Sequence, residues 1–380
     1  MITMQGKYNS ANIMIDEIDE TTKAQIQSFL NHPAFADSYI AIMPDCHAGK
    51  GAVIGFTMKV NDYIIPNVVG VDIGCGMLSA RFDVDSLDLE KFDRFVKQNI
   101  PSGFHLHSNQ TSIKTQELGS YHLRHIVEWC NKIGMDNDKA IKSIGSLGGG
   151  NHFLECGLDS NGKIRVTIHS GSRNFGLRIA NHFQELAKKN LKKYFLQDTY
   201  KDTEFLLTNE PDGQMYLKAV RYGAEYAELN RQTMLNIISR FFNSEPQDVI
   251  ESVHNFIGQD NIIRKGATPA NNDQMVIIPF NMKDGIAICR GKGSQKYNFS
   301  APHGAGRILS RTKAKAQLNV ESFKKEISDA GVYTTTATKD TLDEAPGAYK
   351  DKDIILQNIA ETVDVIEMIK PIYNFKAGGD

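Results

Sequence analysis

Apolar residues recur at helical spacing in several parts of the chain, and these segments predict helices. In residues 15–30 the apolar positions are Ile15, Ile18, Ile26, Phe29 and Leu30. We expect an amphipathic helix here that ends before the His32–Pro33 pair. The same criterion predicts helices over residues 88–99, 116–144, 176–195, 214–243, 305–317 and 354–369. The helices within about residues 176–243 are expected to form a long helical insertion.

Short apolar runs separated by Gly, Pro and Asp occupy residues 38–84, and this pattern predicts strands joined by tight turns. Another strand is predicted to end near His169, and others around residues 250–258, 274–279 and 284–289. Helices and strands are mixed without the regular alternation of a doubly wound sheet. The predicted fold class is therefore α+β, with residues 1–380 forming one domain and Gly-rich loops surrounding a central cleft.

The charge balance and the cysteine content exclude several classes of protein. With 43 Lys and Arg against 45 Asp and Glu, the formal net charge is -2, which argues against a protein that coats nucleic acid through bulk attraction. The five cysteines never form a C-x-x-C pair, so neither a disulfide framework nor a zinc ribbon is indicated. No apolar stretch approaches the roughly 20 residues that cross a bilayer, and the N-terminus lacks the pattern of a signal peptide. We therefore expect a cytoplasmic protein without a membrane partner.

A carboxylate and a thiol lie three residues apart in the Gly-rich segment GVDIGCGM, at Asp72 and Cys75. With imidazoles to complete the shell, this pair can ligate a metal such as Mn, Fe or Zn, but alone it fits a buried cysteine in a tight turn equally well. Three histidines, at positions 152, 169 and 254, stand where a loop meets an apolar run. A lone histidine there is more often structural, but Asp72, Cys75, His152, His169 and His254 together favour a metal centre. The histidines interpreted as structural are His32, His105, His107, His122, His125 and His182.

His303 lies in the segment PHGAGRILSR, beside small residues and ahead of Arg307 and Arg311. Small residues let a phosphate approach the backbone, a helix N-terminus offers N–H donors, and arginines bind phosphoryl oxygens. An imidazole at this place can act as a general base or as a nucleophile toward phosphorus. The alternative is a tight loop before a helix, with the arginines on a solvated face. Because the chain lacks a P-loop, a G-x-G-x-x-G fingerprint and a lysine-nucleophile motif, nucleotide chemistry here needs another nucleophile.

Eight sequence blocks occur together over about residues 40–376: MPDCHAGKGAVIG, GVDIGCGM, GSLGGGNHFLE, HSGSR, HN at 254–255, RKGATPA, HGAGRILSR and DEAPGAYKD. In this order they resemble the RtcB family of RNA ligases. The resemblance implies an enzyme that joins RNA ends with a 2',3'-cyclic phosphate or a 3'-phosphate to 5'-hydroxyl ends, in RNA repair or tRNA splicing. It further implies GTP and two manganese ions as cofactors, and archease as a candidate activating partner.

Carried over by position, the resemblance assigns roles to individual residues. It implies that the manganese ligands are Asp72, Cys75, His152, His169 and His254, and that His303 becomes guanylylated. It places Asn151, Phe153, Glu155, Gly304, Ala305, Gly306 and Lys376 around the bound nucleotide, and Arg173, Arg307 and Arg311 at phosphates or RNA. Asp45 and His47 belong to a further block beside the same site, and their roles stay open.

The chain also departs from the family pattern. Ala301 and Pro302 remove donors ahead of the histidine, and Asn174 replaces a commoner glycine. These differences suggest a divergent paralogue that repairs particular RNAs. Two other functions stay open: a metal-dependent phosphohydrolase that opens cyclic phosphates without His303, and a non-catalytic RNA-binding relative. The basic segments 188–193 and 311–315 are candidates for contacts with the RNA backbone, and a solvated helix face is the favoured alternative for the first.

Overall fold

A computed structural model describes residues 1–108, 115–193 and 200–378, with residues 115–121 described by their backbone alone. The helices, in chain order, are α1 (Glu20–Leu30), α2 (Pro66–Val69), α3 (Leu89–Asn99), α4 (Thr115–Ile133), α5 (Asn137–Lys142), α6 (Arg173–Lys192), α7 (Pro211–Phe242), α8 (Arg311–Gln317), α9 (Val320–Asp329) and α10 (Lys352–Ile359). The strands are β1 (Ile2–Gln5), β2 (Ser10–Ile13), β3 (Ile40–His47), β4 (Ile54–Lys59), β5 (Tyr63–Ile64), β6 (Gly76–Phe82), β7 (Phe153–Leu158), β8 (Ile164–Ser170), β9 (Leu206–Leu207), β10 (Gln247–Val253), β11 (Asn255–Ile257), β12 (Ile262–Lys265), β13 (Ala267–Pro269), β14 (Met275–Pro279), β15 (Ile286–Gly291), β16 (Ser300–Pro302) and β17 (Val363–Phe375). This mixture of elements confirms the predicted α+β class.

The division of the chain into domains stays a prediction. This applies to the single domain over residues 1–380 and to the helical insertion at about residues 176–243. Among the described residues, no helix combines the length and the apolar content needed to span a membrane.

The strands form two large sheets, and predicted site residues lie at one edge of the second sheet. The first sheet has the order β1-β2-β3-β4-β12-β11 and the second β10-β6-β8-β7-β17-β15-β14, while β13 pairs with β16 and β5 with β9. In the second sheet His169 of β8 lies opposite Met77 of β6 and Phe153 of β7. Val253 of β10 lies opposite Gly76 of β6. Because these neighbours are antiparallel, the starts of β6 and β7 and the ends of β8 and β10 meet at one edge.

The long helix α7 contributes to both main apolar cores. Its first half packs Tyr216 and Val220 into the core that also contains Phe56 of the first sheet. Its second half packs Met234 and Ile238 into the core behind the second sheet. Full burial of side chains of this size contributes about 1.5–3 kcal/mol each. With 32 residues and a length of about 48 Å, α7 links the two sheets.

The prediction of a helix over residues 354–369 is wrong for the second half of that segment. Helix α10 ends at Ile359, and residues 363–375 form β17. β17 pairs with β15 on one side and with β7 on the other, so its backbone hydrogen bonds are made to both neighbours. The branched side chains of Val363, Val365 and Ile366 also suit a strand. Pairing on both sides therefore outweighs the local helical spacing of apolar residues.

The helix predicted over residues 305–317 begins later than expected. Ser310 caps α8 by accepting a hydrogen bond from the backbone N–H of Lys313, so the first helical residue is Arg311. The preceding residues form a loop in which the Ile308 N–H donates to the Ala348 carbonyl at 2.9 Å. Arg307 consequently lies before the helix and does not share a helical face with Arg311. The segment HGAGR also does not lead directly into a helix N-terminus.

Other predicted elements agree in position and differ at their ends. Helix α1 begins at Glu20 because the Asp19 carboxylate caps it, so the earlier apolar residues lie outside the helix. The segment 116–144 is divided into α4 and α5 after Gly134, which has a φ of +65°. Helix α6 ends at Lys192, and residues 194–195 of its predicted span lie outside the described residues. The strand predicted around 250–258 is divided into β10 and β11 at His254.

Candidate active site

Four of the five predicted metal ligands stand at the same edge of the second sheet. Cys75 immediately precedes β6, His152 immediately precedes β7, His169 is the penultimate residue of β8, and His254 immediately follows β10. The order β10-β6-β8-β7 makes these strands direct neighbours. The fifth predicted ligand, Asp72, lies in the turn before β6. Its carboxylate accepts a hydrogen bond at 3.1 Å from the backbone N–H of Ser172, just after β8. The sheet therefore brings all five residues together.

The five side chains form a continuous series of ligand atoms. The Asp72 carboxylate lies 3.0 Å from His152 Nε2, which lies 3.3 Å from Cys75 Sγ. Cys75 Sγ lies 3.3 Å from His169 Nε2, which in turn lies 3.2 Å from His254 Nε2. The cysteine sulfur is thus the central atom of the series.

The spacing of these atoms suits a metal centre. Nitrogen and sulfur ligands at about 2.0–2.3 Å from a tetrahedral ion lie about 3.3–3.8 Å apart. The ligand atoms of Cys75, His152 and His169 are buried and lie within 4.8 Å of one another. His169 Nδ1 donates to the Asn151 carbonyl at 3.0 Å, which leaves the Nε2 lone pair available to a metal. A set of thiolate, imidazole and carboxylate suits Mn, Fe or Zn.

Glycines in the surrounding loops leave the space that these ligands occupy. A Cβ atom at Gly171 would lie 2.1 Å from Asp72 Oδ1, and a Cβ atom at Gly148 would lie 1.8 Å from His152 Nδ1. Contacts this short are sterically impossible without movement of the ligand. The Gly-rich blocks of the sequence therefore have a direct steric function at the cluster.

Burial decides the protonation of the ligands before a metal binds. It lowers the pKa of His169 and of His254 well below the usual value, so both imidazoles are neutral at pH 7. Burial raises the pKa of the Cys75 thiol well above its usual value, so a metal must displace a proton from sulfur. For Asp72, burial opposes ionisation, but the hydrogen bond and the charge of His152 outweigh it and lower the pKa. Without a metal, the site thus holds neutral imidazoles at His169 and His254, a thiol at Cys75 and a carboxylate at Asp72.

His303 lies beside this cluster, and Asp45 orients its ring. The ring centroids of His303 and His254 are 4.7 Å apart. Asp45, fully buried on β3, accepts hydrogen bonds from His303 Nδ1 at 2.7 Å and from the His303 backbone N–H at 3.3 Å. With the proton held on Nδ1, His303 Nε2 keeps a free lone pair.

A cavity of about 290 Å³ opens beside the cluster and His303. The residues predicted to surround the nucleotide all line it, and they are Asn151, Phe153, Glu155, Gly304, Ala305, Gly306 and Lys376. Lys376 Nζ lies 5.1 Å from the centre of the Phe153 ring. Burial raises the pKa of Glu155 to about 8, and its Oε2 accepts a hydrogen bond from Asn374 at 2.9 Å. The size and the mixture of apolar, polar and cationic side chains are those of a small-molecule site.

Glu344 is a charged residue of the cavity wall that the sequence pattern did not single out. Its carboxylate accepts hydrogen bonds from Arg307 Nη1 at 3.0 Å, from Lys376 Nζ at 2.9 Å and from the Tyr349 hydroxyl. Burial opposes the ionisation of Glu344, but the charges of Lys376, Arg307 and Arg311 outweigh it and hold the pKa at about 2. The only signal in the sequence was membership of the block DEAPGAYKD, since its two cationic partners, Arg307 and Lys376, lie 37 and 32 residues away.

The three arginines predicted to bind phosphate or RNA occupy different surroundings. Arg173 has a left-handed backbone with a φ of 53°, and its guanidinium donates to the Gly103 carbonyl and the Ser146 hydroxyl. Arg307 and Arg311 both line the cavity. The side chain of Arg311 is 46% exposed, whereas that of Arg307 is 13% exposed. Arg311 therefore offers the more accessible guanidinium.

The two basic segments belong to different helices, α6 and α8. Segment 188–193 lies at the C-terminal end of α6. The first turn of this 20-residue helix lies close to the cluster, so the segment is about 30 Å away along the helix. Within it, Lys188 already pairs with Glu185 at 2.8 Å. Segment 311–315 forms most of α8, and its Arg311 lines the cavity, while Lys315 lies 3.4 Å from Asp343. The second segment is therefore the one next to the cavity.

The profile of a family described as tRNA-splicing ligase RtcB matches residues 25–377 of the chain. An RNA-splicing ligase RtcB of Escherichia coli strain K12 is 31% identical over 370 residues, which cover 89% of this chain and 90% of the relative. A tRNA-splicing ligase RtcB of Thermococcus kodakarensis is 27% identical over 420 residues, with 88% of this chain and 86% of the relative covered. An RNA-splicing ligase RtcB homolog 2 of Entamoeba dispar is 28% identical over 422 residues, with 88% and 78% covered. The chain belongs to the RtcB family.

Proposed function

We propose that this chain is an RNA ligase that joins a 3'-phosphate or 2',3'-cyclic phosphate end to a 5'-hydroxyl end, using GTP and manganese. The family profile and the names of the relatives support the ligation of RNA. The observation that carries the proposal is the placement of His303, whose ring lies beside the ligand cluster while Asp45 holds its Nδ1. A hydrolase that only opens cyclic phosphates has no need of an oriented imidazole here, so this geometry favours the ligase.

Asp72, Cys75, His152, His169 and His254 would hold the two divalent ions of the proposed enzyme. Asp72 and His152 lie on one side of the sulfur, and His169 and His254 lie on the other. Bound there, divalent ions supply Lewis-acid stabilisation of phosphoryl oxygens and of departing groups. Manganese fits the mixture of carboxylate, imidazole and thiolate.

His303 is the proposed nucleophile of the first step. Because Asp45 accepts the Nδ1 proton, Nε2 presents its lone pair to the α-phosphorus of GTP. A nitrogen–phosphorus bond forms while the bond from phosphorus to the β-phosphate oxygen breaks, and pyrophosphate leaves with that electron pair. Positive charge develops on the imidazole in this step, and the buried Asp45 carboxylate stabilises it.

The wall of the cavity is proposed to bind the guanosine. Phe153 offers a ring beside Lys376 Nζ, and Glu155 offers a carboxyl group toward the same space. Among the described residues, Glu155 Oε1 has no hydrogen-bond partner, and N–H donors from the edge of guanine would favour the ionised carboxylate that accepts them. The small residues that follow His303 leave room for phosphates, and Arg311 offers an exposed guanidinium to them.

Two further transfers complete the proposed reaction. An oxygen of the RNA 3'-phosphate attacks the phosphorus held by His303, the nitrogen–phosphorus bond breaks, and GMP moves to the RNA end. The 5'-hydroxyl then attacks this activated phosphate and GMP leaves, which forms the new phosphodiester. A 2',3'-cyclic phosphate is first opened by water to a 3'-phosphate. An imidazole suits both roles because it attacks as a neutral base and leaves as one.

Labelling with GTP that carries a radioactive α-phosphate tests this function. Wild-type protein with Mn²⁺ should keep the label after denaturation, and acid but not alkali should release it, as expected for a phosphoramidate. His303→Ala should carry no label, while His182→Ala, which changes an exposed histidine on α6, should be labelled normally. Wild-type protein that binds Mn²⁺ and hydrolyses cyclic phosphates without ever carrying label would show the phosphohydrolase instead.

A further inference from the structure

Two buried polar side chains in the middle of α7, Asn230 and Arg231, have no part in the proposed reaction. Both are 0% exposed. A buried guanidinium or amide destabilises a protein unless its donors and acceptors are used, because each unpaired group loses its hydration. The groups that these two side chains bind therefore indicate what they are for.

Arg231 links the backbone on either side of the ligand cluster. Its Nη1 donates to the Gly74 carbonyl at 2.8 Å and to the Ser170 carbonyl at 2.8 Å. Gly74 directly precedes Cys75, and Ser170 directly follows His169. The other edge of the guanidinium binds Glu251 of β10, with Nε at 2.9 Å and Nη2 at 2.6 Å. One planar group thus fixes the ends of three adjacent strands.

Asn230 makes a second set of bonds to the same loops. Its Oδ1 accepts from the N–H groups of Gly145 at 2.8 Å and Ser146 at 3.0 Å. Its Nδ2 donates to the Ser170 hydroxyl at 3.1 Å and to the Gly171 carbonyl at 3.0 Å. All the hydrogen-bonding capacity of the amide is used. These bonds tie the Gly-rich block at 145–150, which leads to β7, to the loop that follows β8.

Helix α7 also approaches the turn that carries Asp72 and Cys75. A Cβ atom at Gly74 would lie 2.5 Å from the Cα of Ala224, and one at Gly223 would lie 2.9 Å from Ile73 Cγ2. This close contact makes α7 a rigid support directly behind the turn. A metal centre needs its ligands held within about 0.5 Å of the binding geometry by their surroundings.

We propose that Asn230 and Arg231 are positioning residues of the metal centre, which hold the loops of Cys75, His169 and Asp72 at ligand spacing. They act through the backbone next to each ligand. For Asp72 the path runs through Gly171, whose carbonyl binds Asn230 and whose Cα faces the Asp72 carboxylate. The proposal rests on the metal-binding part of the proposed function and does not depend on its GTP or RNA chemistry.

Binding of Co²⁺ to the complete protein tests the proposal. Co²⁺ is the probe because its absorption depends on coordination geometry and on a thiolate ligand. Arg231→Met removes the guanidinium, Arg231→Lys keeps a charge without the planar fork, and Asn230→Asp keeps the shape without the two donors. The control is Arg165→Met, because Arg165 is also buried and paired, with Asp248, but lies at the opposite end of β8 from His169.

A positioning role predicts a pattern that a merely structural role does not. Arg231→Met, Arg231→Lys and Asn230→Asp should bind Co²⁺ about 10- to 100-fold more weakly in competition with a chelator, with altered visible absorption. Arg165→Met should keep the wild-type affinity and spectrum even if its melting temperature falls. The proposal is overturned if Arg231→Lys, folded by circular dichroism, binds Co²⁺ within about twofold of wild type with the same spectrum. Wild-type protein that binds no Co²⁺ would overturn the metal centre itself, and with it this inference.

Discussion

Glu344→Gln tests whether the wall of the cavity depends on one buried carboxylate. Glu344 is 1% exposed and lies between the cations of Arg307 and Lys376. The glutamine keeps the shape of the side chain, but it loses the charge and turns an amide N–H₂ toward groups that are themselves donors. Both cations are then left without their buried counter-charge.

The expected magnitude follows from the pKa of Glu344. Folding lowers this pKa from 4.5 to about 2. A carboxyl group of this kind contributes stability above its unfolded pKa and loses that contribution as the pH falls toward the folded value. The difference in pKa corresponds to about 3 kcal/mol at pH 7, which agrees with the roughly 3–5 kcal/mol lost when one partner of a buried ion pair is removed. Roughly 1 kcal/mol of it should already be absent at pH 4.

Urea unfolding of the metal-free protein at pH 7 and at pH 4 measures these quantities. Glu344→Gln should lower the free energy of unfolding by about 3 kcal/mol at pH 7, and its difference from wild type should be smaller by roughly 1 kcal/mol at pH 4. The matched control is Glu326→Gln, because the Lys283–Glu326 pair is equally short at 2.8 Å but its side chains are 41% and 38% exposed. That pair should contribute about 0–1 kcal/mol. A loss no larger than that of the control, or a gap that widens toward acid, would refute the electrostatic reasoning.

Three further predictions concern the cluster and the nucleophile. Because burial raises the pKa of the Cys75 thiol, metal binding should release about one proton. The metal affinity should therefore rise about tenfold per pH unit between about pH 6 and 8. Calorimetry in buffers of different ionisation enthalpy can count the released proton. Asp45→Asn should slow labelling by GTP by up to about 10⁴-fold with Mn²⁺ binding retained, and an unchanged labelling rate would contradict its orienting role. Gly171→Ala should weaken metal binding because the new Cβ would lie 2.1 Å from Asp72 Oδ1. The control is Gly347→Ala, whose Cβ would lie 3.5 Å from the nearest side-chain atom. This control should bind metal normally when both variants compete with a chelator.

The candidate ligands could be selected from the sequence because each histidine stands where a loop meets an apolar run. Their convergence could not be predicted in this way. The strands β6, β7, β8 and β10 become neighbours only in the order β10-β6-β8-β7, and pairing between distant segments sets that order. The same kind of pairing explains why residues 363–369 form a strand despite apolar residues at helical spacing.

Residues whose role depends on a distant partner could not be selected from the sequence in the same way as the histidines. Asp45 and Glu344 are ordinary acidic residues in the sequence, and their importance depends on cations or rings from distant segments. Asn230 and Arg231 are two polar residues of the segment predicted to form a helix over residues 214–243, and the pattern does not indicate that they are buried. Polarity alone does not distinguish a solvated residue from one that binds buried carbonyls, because both interrupt the apolar stripe in the same way.

The proposed nucleophile and the proposed metal ligands are held by different elements, and this has a functional consequence. His303 follows β16, which pairs with β13, whereas the ligands stand at the edge of the second sheet. The two parts meet where the Gly266 N–H, just before β13, donates to the His254 carbonyl at 2.7 Å. Since separate elements position them, loss of the Asp45 hydrogen bond should stop labelling without loss of metal, and loss of the Arg231 bonds should weaken metal binding first. If both changes reduced both properties equally, the site would have to be regarded as one cooperative unit in which the metal cluster and the nucleophile order together.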